Sequence, residues 1–99
     1  MGQFDVHRRP GTQDLLVDCQ SDLLADLPTR FVVPLLRTAP KVSLSPHLNP
    51  VISFEGADHV LAPQLALSTT TDRLGQSVGS VKADAYAIGR AIDVLVGGV

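Results

Sequence analysis

The stretch that decides the fold is Leu15–Leu35, LLVDCQSDLLADLPTRFVVPL. Its first part, Leu15–Cys19, alternates Leu15, Val17 and Cys19 with Leu16, Asp18 and Gln20. That period of two is the pattern of a strand with one face buried. Its last part, Arg30–Leu35, carries the β-branched and aromatic run Phe31, Val32, Val33 and Leu35, with Pro34 suited to an edge or strand end. Between them a polar turn opens on Ser21 and Asp22. It holds two adjacent leucines, Leu23 and Leu24, which either cover the end of a barrel or are offered to a partner.

Working outward, Gln3–His7 reads as a first strand with Phe4 and Val6 on one side. It is joined to Leu15–Cys19 by a turn at Arg8-Arg9-Pro10-Gly11. After Leu35, Pro40, Pro46 and Pro50 forbid a long helix and leave a loop or small wing through Leu48. Val51–Glu55 is a further strand and Glu55–Asp58 a turn with Gly56 available for positive φ. His59–Leu67 returns as a strand interrupted by Pro63, Ser68–Asp72 is a short polar strand, and Arg73–Gly79 leads out of the sheet. From Val81 the period changes. Ala85, Ile88, Ile92 and Leu95 are spaced as one face of an α-helix, with Ser80 as N-cap. Gly97 and Gly98 stop that helix, leaving a three-residue tail that ends at Val99. The expectation is one mainly β domain over residues 1–99, with five or more strands and a single C-terminal helix.

Composition narrows the function. The chain has 99 residues, 44% hydrophobic and 18% charged, which is globular rather than disordered. A net charge of -2 argues against a nucleic-acid surface, which needs a basic patch. The one cysteine, Cys19, has no internal partner and is read as a buried, inert thiol. No leader-like apolar region opens the sequence, and no run reaches the roughly 20 residues of a membrane helix, so a cytoplasmic protein is expected. His7, His47 and His59 show no metal-ligand spacing and are read as surface or rim histidines. Asp22 and Asp26, near Asp18, are read as turn caps. No nucleophile–base pair and no phosphate loop is visible. The residues alone describe a β-rich binding domain without catalytic residues, metal or cofactor.

The central stretch, VDCQSDLLADLPTRFVVPL, resembles the signature of the CcdB toxins. In these a Val-Asp-x-Gln-Ser-Asp segment precedes two aliphatic residues, then a basic residue and an apolar run ending in Pro-Leu. Gln3-Phe4-x-Val6, Leu48-x-Pro50-Val51, Gly75, and Ala91-Ile92 before a short tail agree in order. Between Ala62 and Leu74 the likeness weakens, polar Thr69, Thr70, Thr71 and Asp72 replacing a run rich in Val and Pro.

The resemblance implies a small SH3-like barrel with a three-stranded wing and a C-terminal helix, assembled as a homodimer. It implies a non-enzymatic toxin of a toxin–antitoxin pair that binds the A subunit of DNA gyrase, trapping the gyrase–cleaved-DNA complex. A partly disordered CcdA-like antitoxin would neutralise it and with it repress their operon. The gyrase contact it implies falls on Leu23, Leu24, Asp93, Val96, Gly97, Gly98 and Val99. One departure bears on this: well-known members carry Trp where this chain has Gly97. Two other readings follow. One is a CcdB-fold homologue that dimerises and binds antitoxin but no longer poisons gyrase. The other is an endoribonuclease toxin of the MazF and Kid type, for which His7, Arg8 and Arg9 are the candidates.

Overall fold

The computed structural model describes residues 2–37 and 45–98. Seven strands form one antiparallel sheet: β1 (Asp5–Arg8), β2 (Leu15–Asp18), β3 (Thr29–Leu36), β4 (Val51–Phe54), β5 (Ala57–Leu61), β6 (Leu67–Thr70) and β7 (Ser77–Ser80). A helix, α1 (Ala85–Gly97), follows. The strand order is β4-β5-β3-β2-β1-β7, with β6 pairing β3 off that path. The result is the mainly β, small SH3-like barrel with one C-terminal helix that the sequence implied.

β3 is the hub. One edge pairs with β2 from Val32↔Asp18 to Leu35↔Leu15. The other edge is divided: Thr29–Val32 pair with β6, and Leu35–Leu36 pair with β5. Pro34 therefore does not close the strand as expected. Its carbonyl accepts from Ala62 N at 3.0 Å. The N–H and C=O of one strand residue point to the same edge. The missing N–H thus falls at the handover between β6 and β5, where no ladder bond is lost.

A second correction concerns the faces of β2. All four of its residues are buried. Leu15 and Val17, with Cys19 beyond, join Val6, Val33, Leu35, Ile52, Leu61 and Ile88 in the main core. The opposite face, expected to be solvated, is covered as well: Leu16 packs with Val32, Leu74 and Leu67. Asp18, on that same face, is fully buried.

Other boundaries shift for local reasons. The β4–β5 hairpin turns on Glu55 and Gly56, both at positive φ (52° and 75°), the mirror-image turn that matches strand twist. After Leu61 the chain makes a 3-10 turn at Pro63–Leu65, so the returning strand splits into β5 and β6. The segment read as leaving the sheet instead supplies β7, which pairs with β1 across an irregularity between Val6 and His7. Ser80 Oγ accepts from Lys82 N at 3.1 Å, but a 3-10 turn at Lys82–Asp84 intervenes and α1 begins only at Ala85. The helix continues through Gly97, and Gly98 is its left-handed cap (φ 71°). Ile88 and Ala91 seat α1 on the core with Ile92 beside them. The proline-rich loop expected before β4 lies largely outside the described residues (38–44).

The histidines also differ from expectation. His47 is exposed, but His7 and His59 are buried. His7 Nδ1 lies 2.8 Å from Gly75 O, and His59 Nδ1 lies 3.0 Å from Ala57 O. Gly75 is required where it stands, because a Cβ there would fall 2.2 Å from the Arg8 carbonyl oxygen.

Candidate functional site

The central signature divides into residues that point in and residues that point out. Asp18 and Arg30, 0% and 2% exposed, form a buried ion pair. Arg30 Nε donates to Asp18 Oδ2 at 2.8 Å, and Nη2 lies 2.7 Å from the same oxygen. Asp18 Oδ1 accepts from Gln20 N at 3.0 Å. Gln20 is itself buried and bridges two elements: Oε1 accepts from Phe31 N on β3 (3.0 Å), and Nε2 donates to Leu24 O (2.9 Å). Ser21 Oγ accepts from Leu23 N at 3.2 Å, capping the 3-10 turn Asp22–Leu24. Asp22 is no local turn cap; its Oδ1 accepts from Gln3 N, 19 residues away, at 2.9 Å.

This frame presents apolar surface. Leu23 is 94% exposed and Leu24 50%, with Leu27 also exposed just beyond. Fully exposing a leucine forgoes about 1.5–3 kcal/mol of burial, and this turn, held by several hydrogen bonds, leaves its leucines in solvent.

The second part of the predicted site lies on the last turns of α1. Asp93, Val96 and Gly97 are exposed, spaced three and four residues apart on one helix face, and Gly98 follows as the cap. Val96 is 80% exposed. Val99 lies outside the described residues. The structure thus groups Leu23 with Leu24, and Asp93 with Val96 and Gly97. Among the described residues no hydrogen bond or ion pair joins the two groups; the turn's bonds run to Gln3, before β1, and to Gln20, just beyond β2.

Sequence reasoning missed several surface residues. Leu27 N donates to Leu24 O (3.1 Å), so it belongs to the same turn. Tyr86 is 82% exposed and stands two turns before Asp93 on the same helical stripe, beside the notch left by Gly89. Its position off the 85–88–92–95 face was the available signal. Elsewhere, a groove of about 510 Å³ has an apolar floor at Leu16, Pro34 and Leu36, with Arg9 and Arg37 at its rim. Arg8 is engaged with Gln13 Oε1 (2.8 Å) and, at 3.5 Å, with Glu55. Cys19 is buried as expected, and burial together with the Asp18 charge pushes its thiol up to about 12. Among the described residues no group of three or more His, Cys, Asp or Glu could hold a metal ion, and no helix is long and apolar enough to cross a membrane.

The structure is similar to an endoribonuclease in complex with its cognate antitoxin from Mycobacterial species, at 13% identity and a TM-score of 0.79, covering 98% of this chain and 95% of that one. It is also similar to the Mycobacterium tuberculosis toxin MazF-mt6, at 13% identity and a TM-score of 0.74, covering 94% and 96%. These likenesses concern the fold. The family model for CcdB protein matches residues 3–98, and the chain belongs to the CcdB family. Comparison with curated proteins finds no match.

Proposed function

We propose that this chain is the cytoplasmic toxin of a type II toxin–antitoxin module, and that as a homodimer it binds the A subunit of DNA gyrase, trapping the gyrase–cleaved-DNA complex. The observation that carries this reading is the buried Asp18–Arg30–Gln20 frame holding two exposed leucines. A fold that needed Leu23 and Leu24 for its core would turn them inward. Asp93, Val96, Gly97, Gly98 and Val99 would complete the contact. A two-fold dimer would offer two such patches to a two-fold target. An antitoxin segment combining acidic and apolar residues would suit the groove, where Arg9 and Arg37 outweigh the carboxylate of Asp14.

One observation favours the second reading, a homologue that no longer poisons gyrase. Gly97 is exposed at the helix end and offers no side chain where a Trp would bury about 150–250 Å². The endoribonuclease reading is less favoured: His7 is 1% exposed with Nδ1 held by Gly75 O, and Arg8 is engaged by Gln13 and Glu55. A general acid or base must reach its substrate.

The test is calorimetric titration of the protein against the gyrase A-subunit dimerisation fragment, beside Leu24→Asp and a variant lacking residues 97–99. Binding by the parent, lost in both variants at near-parental melting temperature, is the expected result. A folded parent that does not bind would overturn gyrase poisoning and leave the second reading. Release of RNA fragments by the parent would instead favour the nuclease.

A further inference from the structure

We propose that Gln20 is the positioning residue of the Leu23–Leu24 surface: its side chain couples the shape of that turn to the hub strand β3. This rests on reading Leu23 and Leu24 as the contact surface.

The geometry carries the argument. Gln20 is buried beyond the end of β2, and its amide is used at both ends. The oxygen takes Phe31 N from β3, at 3.0 Å, and the nitrogen gives to Leu24 O, at 2.9 Å. Leu24 O also accepts from Leu27 N, at 3.1 Å, so one carbonyl gathers the side-chain clamp and the end of the turn. The backbone of Gln20 is fixed in turn by Asp18 Oδ1, whose other oxygen is held by Arg30. A chain of bonds therefore runs from the buried ion pair through one amide to the backbone of an exposed leucine.

The local bonds alone form only a single 3-10 turn: Leu24 N to Ser21 O at 2.9 Å and Ala25 N to Asp22 O at 3.2 Å. Isolated turns of that length are marginal, because fixing their dihedrals costs more than one bond returns. None of the three residues of the turn is buried, so the core does not hold it. Asp22 Oδ1, taking Gln3 N, tethers the start of the turn, and the Gln20 amide holds its end at Leu24 O. A partner then meets leucines already placed, and the ordering cost falls on folding rather than on binding.

Replacement of one atom separates the two ends of the amide. Gln20→Glu keeps an oxygen to accept from Phe31 N but replaces the donor to Leu24 O with a second acceptor. Gln20→Met keeps the length and removes both bonds. Backbone amide exchange by NMR on the intact protein reads the turn without any partner, and titration with the gyrase A-subunit fragment reads docking. In Gln20→Glu we expect exchange at Leu24, Ala25 and Leu27 to speed up at least tenfold more than that at Val32 and Val33, a lower melting temperature because a carboxylate enters a buried site, and at least tenfold weaker binding. Gln20→Met should lose melting temperature as well. Unchanged turn exchange in Gln20→Glu overturns the inference, as does parental affinity, and so does faster exchange spread equally over β2 and β3. If the parent itself fails to bind, the function proposed above fails, while the exchange measurement still decides whether Gln20 sets the turn.

Discussion

Arg30→Met cuts the central network at its buried cation, and the structure fixes what is left behind. The guanidinium makes two contacts of 2.7–2.8 Å to Asp18 Oδ2, and both partners are almost wholly removed from solvent. Methionine fills the stem of the arginine but supplies no donor. The Asp18 carboxylate would keep one bond, from Gln20 N. Breaking a buried pair on one side costs about 3–5 kcal/mol, because an uncompensated charge remains in the interior. A chain of this size has roughly 5–15 kcal/mol of stability in total. At roughly 4–8 °C per kcal/mol, the melting temperature should fall by more than about 12 °C. Removing the charge as well, in Asp18→Asn/Arg30→Met, keeps an acceptor for Gln20 N and should recover most of the loss, to within about 2 kcal/mol of the parent. The chain has no Trp and one Tyr, so urea denaturation followed by far-UV circular dichroism is the suitable assay. With Asp18→Asn alone as the fourth protein, these form a double-mutant cycle, and a coupling energy of at least about 2 kcal/mol is expected. A loss under about 1 kcal/mol for Arg30→Met, or single losses that simply add, would refute the reasoning.

Gly79 lies under Phe54, and a Cβ there would stand 2.7 and 2.9 Å from two ring carbons. Gly79→Ala should therefore cost about 1–3 kcal/mol by overpacking. In contrast, Gly89→Ala, in open space within α1, should gain about 0.5–1 kcal/mol; equal effects in urea melts would contradict the packing described. Cys19 should react with a thiol reagent at pH 8 only on unfolding, so labelling rates should follow urea concentration, and rapid labelling of the native protein would count against its burial. Its native pKa is raised, so between about pH 9 and 12 the unfolded chain releases a proton that the native one keeps. Stability should fall across that window by about 1.4 kcal/mol per pH unit, and Cys19→Ala should remove that slope.

Much of the fold was legible because its signals are local. The β-branched run Phe31–Leu35 and the 3.6-residue period of Ala85, Ile88 and Ile92 place β3 and α1 correctly, and Glu55-Gly56 marks its turn. What escaped depends on partners distant in sequence. Asp18 and Gln20 look like a solvated face because period-two alternation cannot reveal that Arg30, twelve residues on, neutralises the one, or that the other accepts from Phe31 N and donates to Leu24 O. Ser77–Ser80 has no apolar alternation of its own and becomes a strand only because β1 has an edge to pair. Pro34 reads as a terminator until the division of its neighbouring edge between β6 and β5 is seen. The exposed leucines were legible as a question, and the sequence held no signal that the residues flanking them were the turn's restraints.

That division of labour bears on what the signature can say. Asp18, Gln20 and Arg30 point inward and Ser21 and Asp22 cap or tether the turn, so their presence follows from the need to hold it. They tie the chain to the CcdB family, but the same bonds would form whether or not anything docks. Under the proposed function, docking would be governed by the outward residues: Leu23 and Leu24 on the turn, and Asp93, Val96 and Gly97 at the helix end. Here the two groups diverge. By the resemblance described above, the turn keeps its aliphatic pair on a hydrogen-bonded frame, while the helix end has Gly97 in the place of a Trp. Hot spots concentrate binding energy in a few large side chains, so the helix end is where affinity would be lost first. Substituting Gly97→Trp is therefore the more informative direction of change. Gly97 is exposed and precedes the left-handed Gly98, so the indole enters no core and the cap is untouched. A gain of tenfold or more in gyrase binding at unchanged melting temperature would locate the weakness at that single side chain. No gain would mean that the turn alone carries the contact, or that no contact is made.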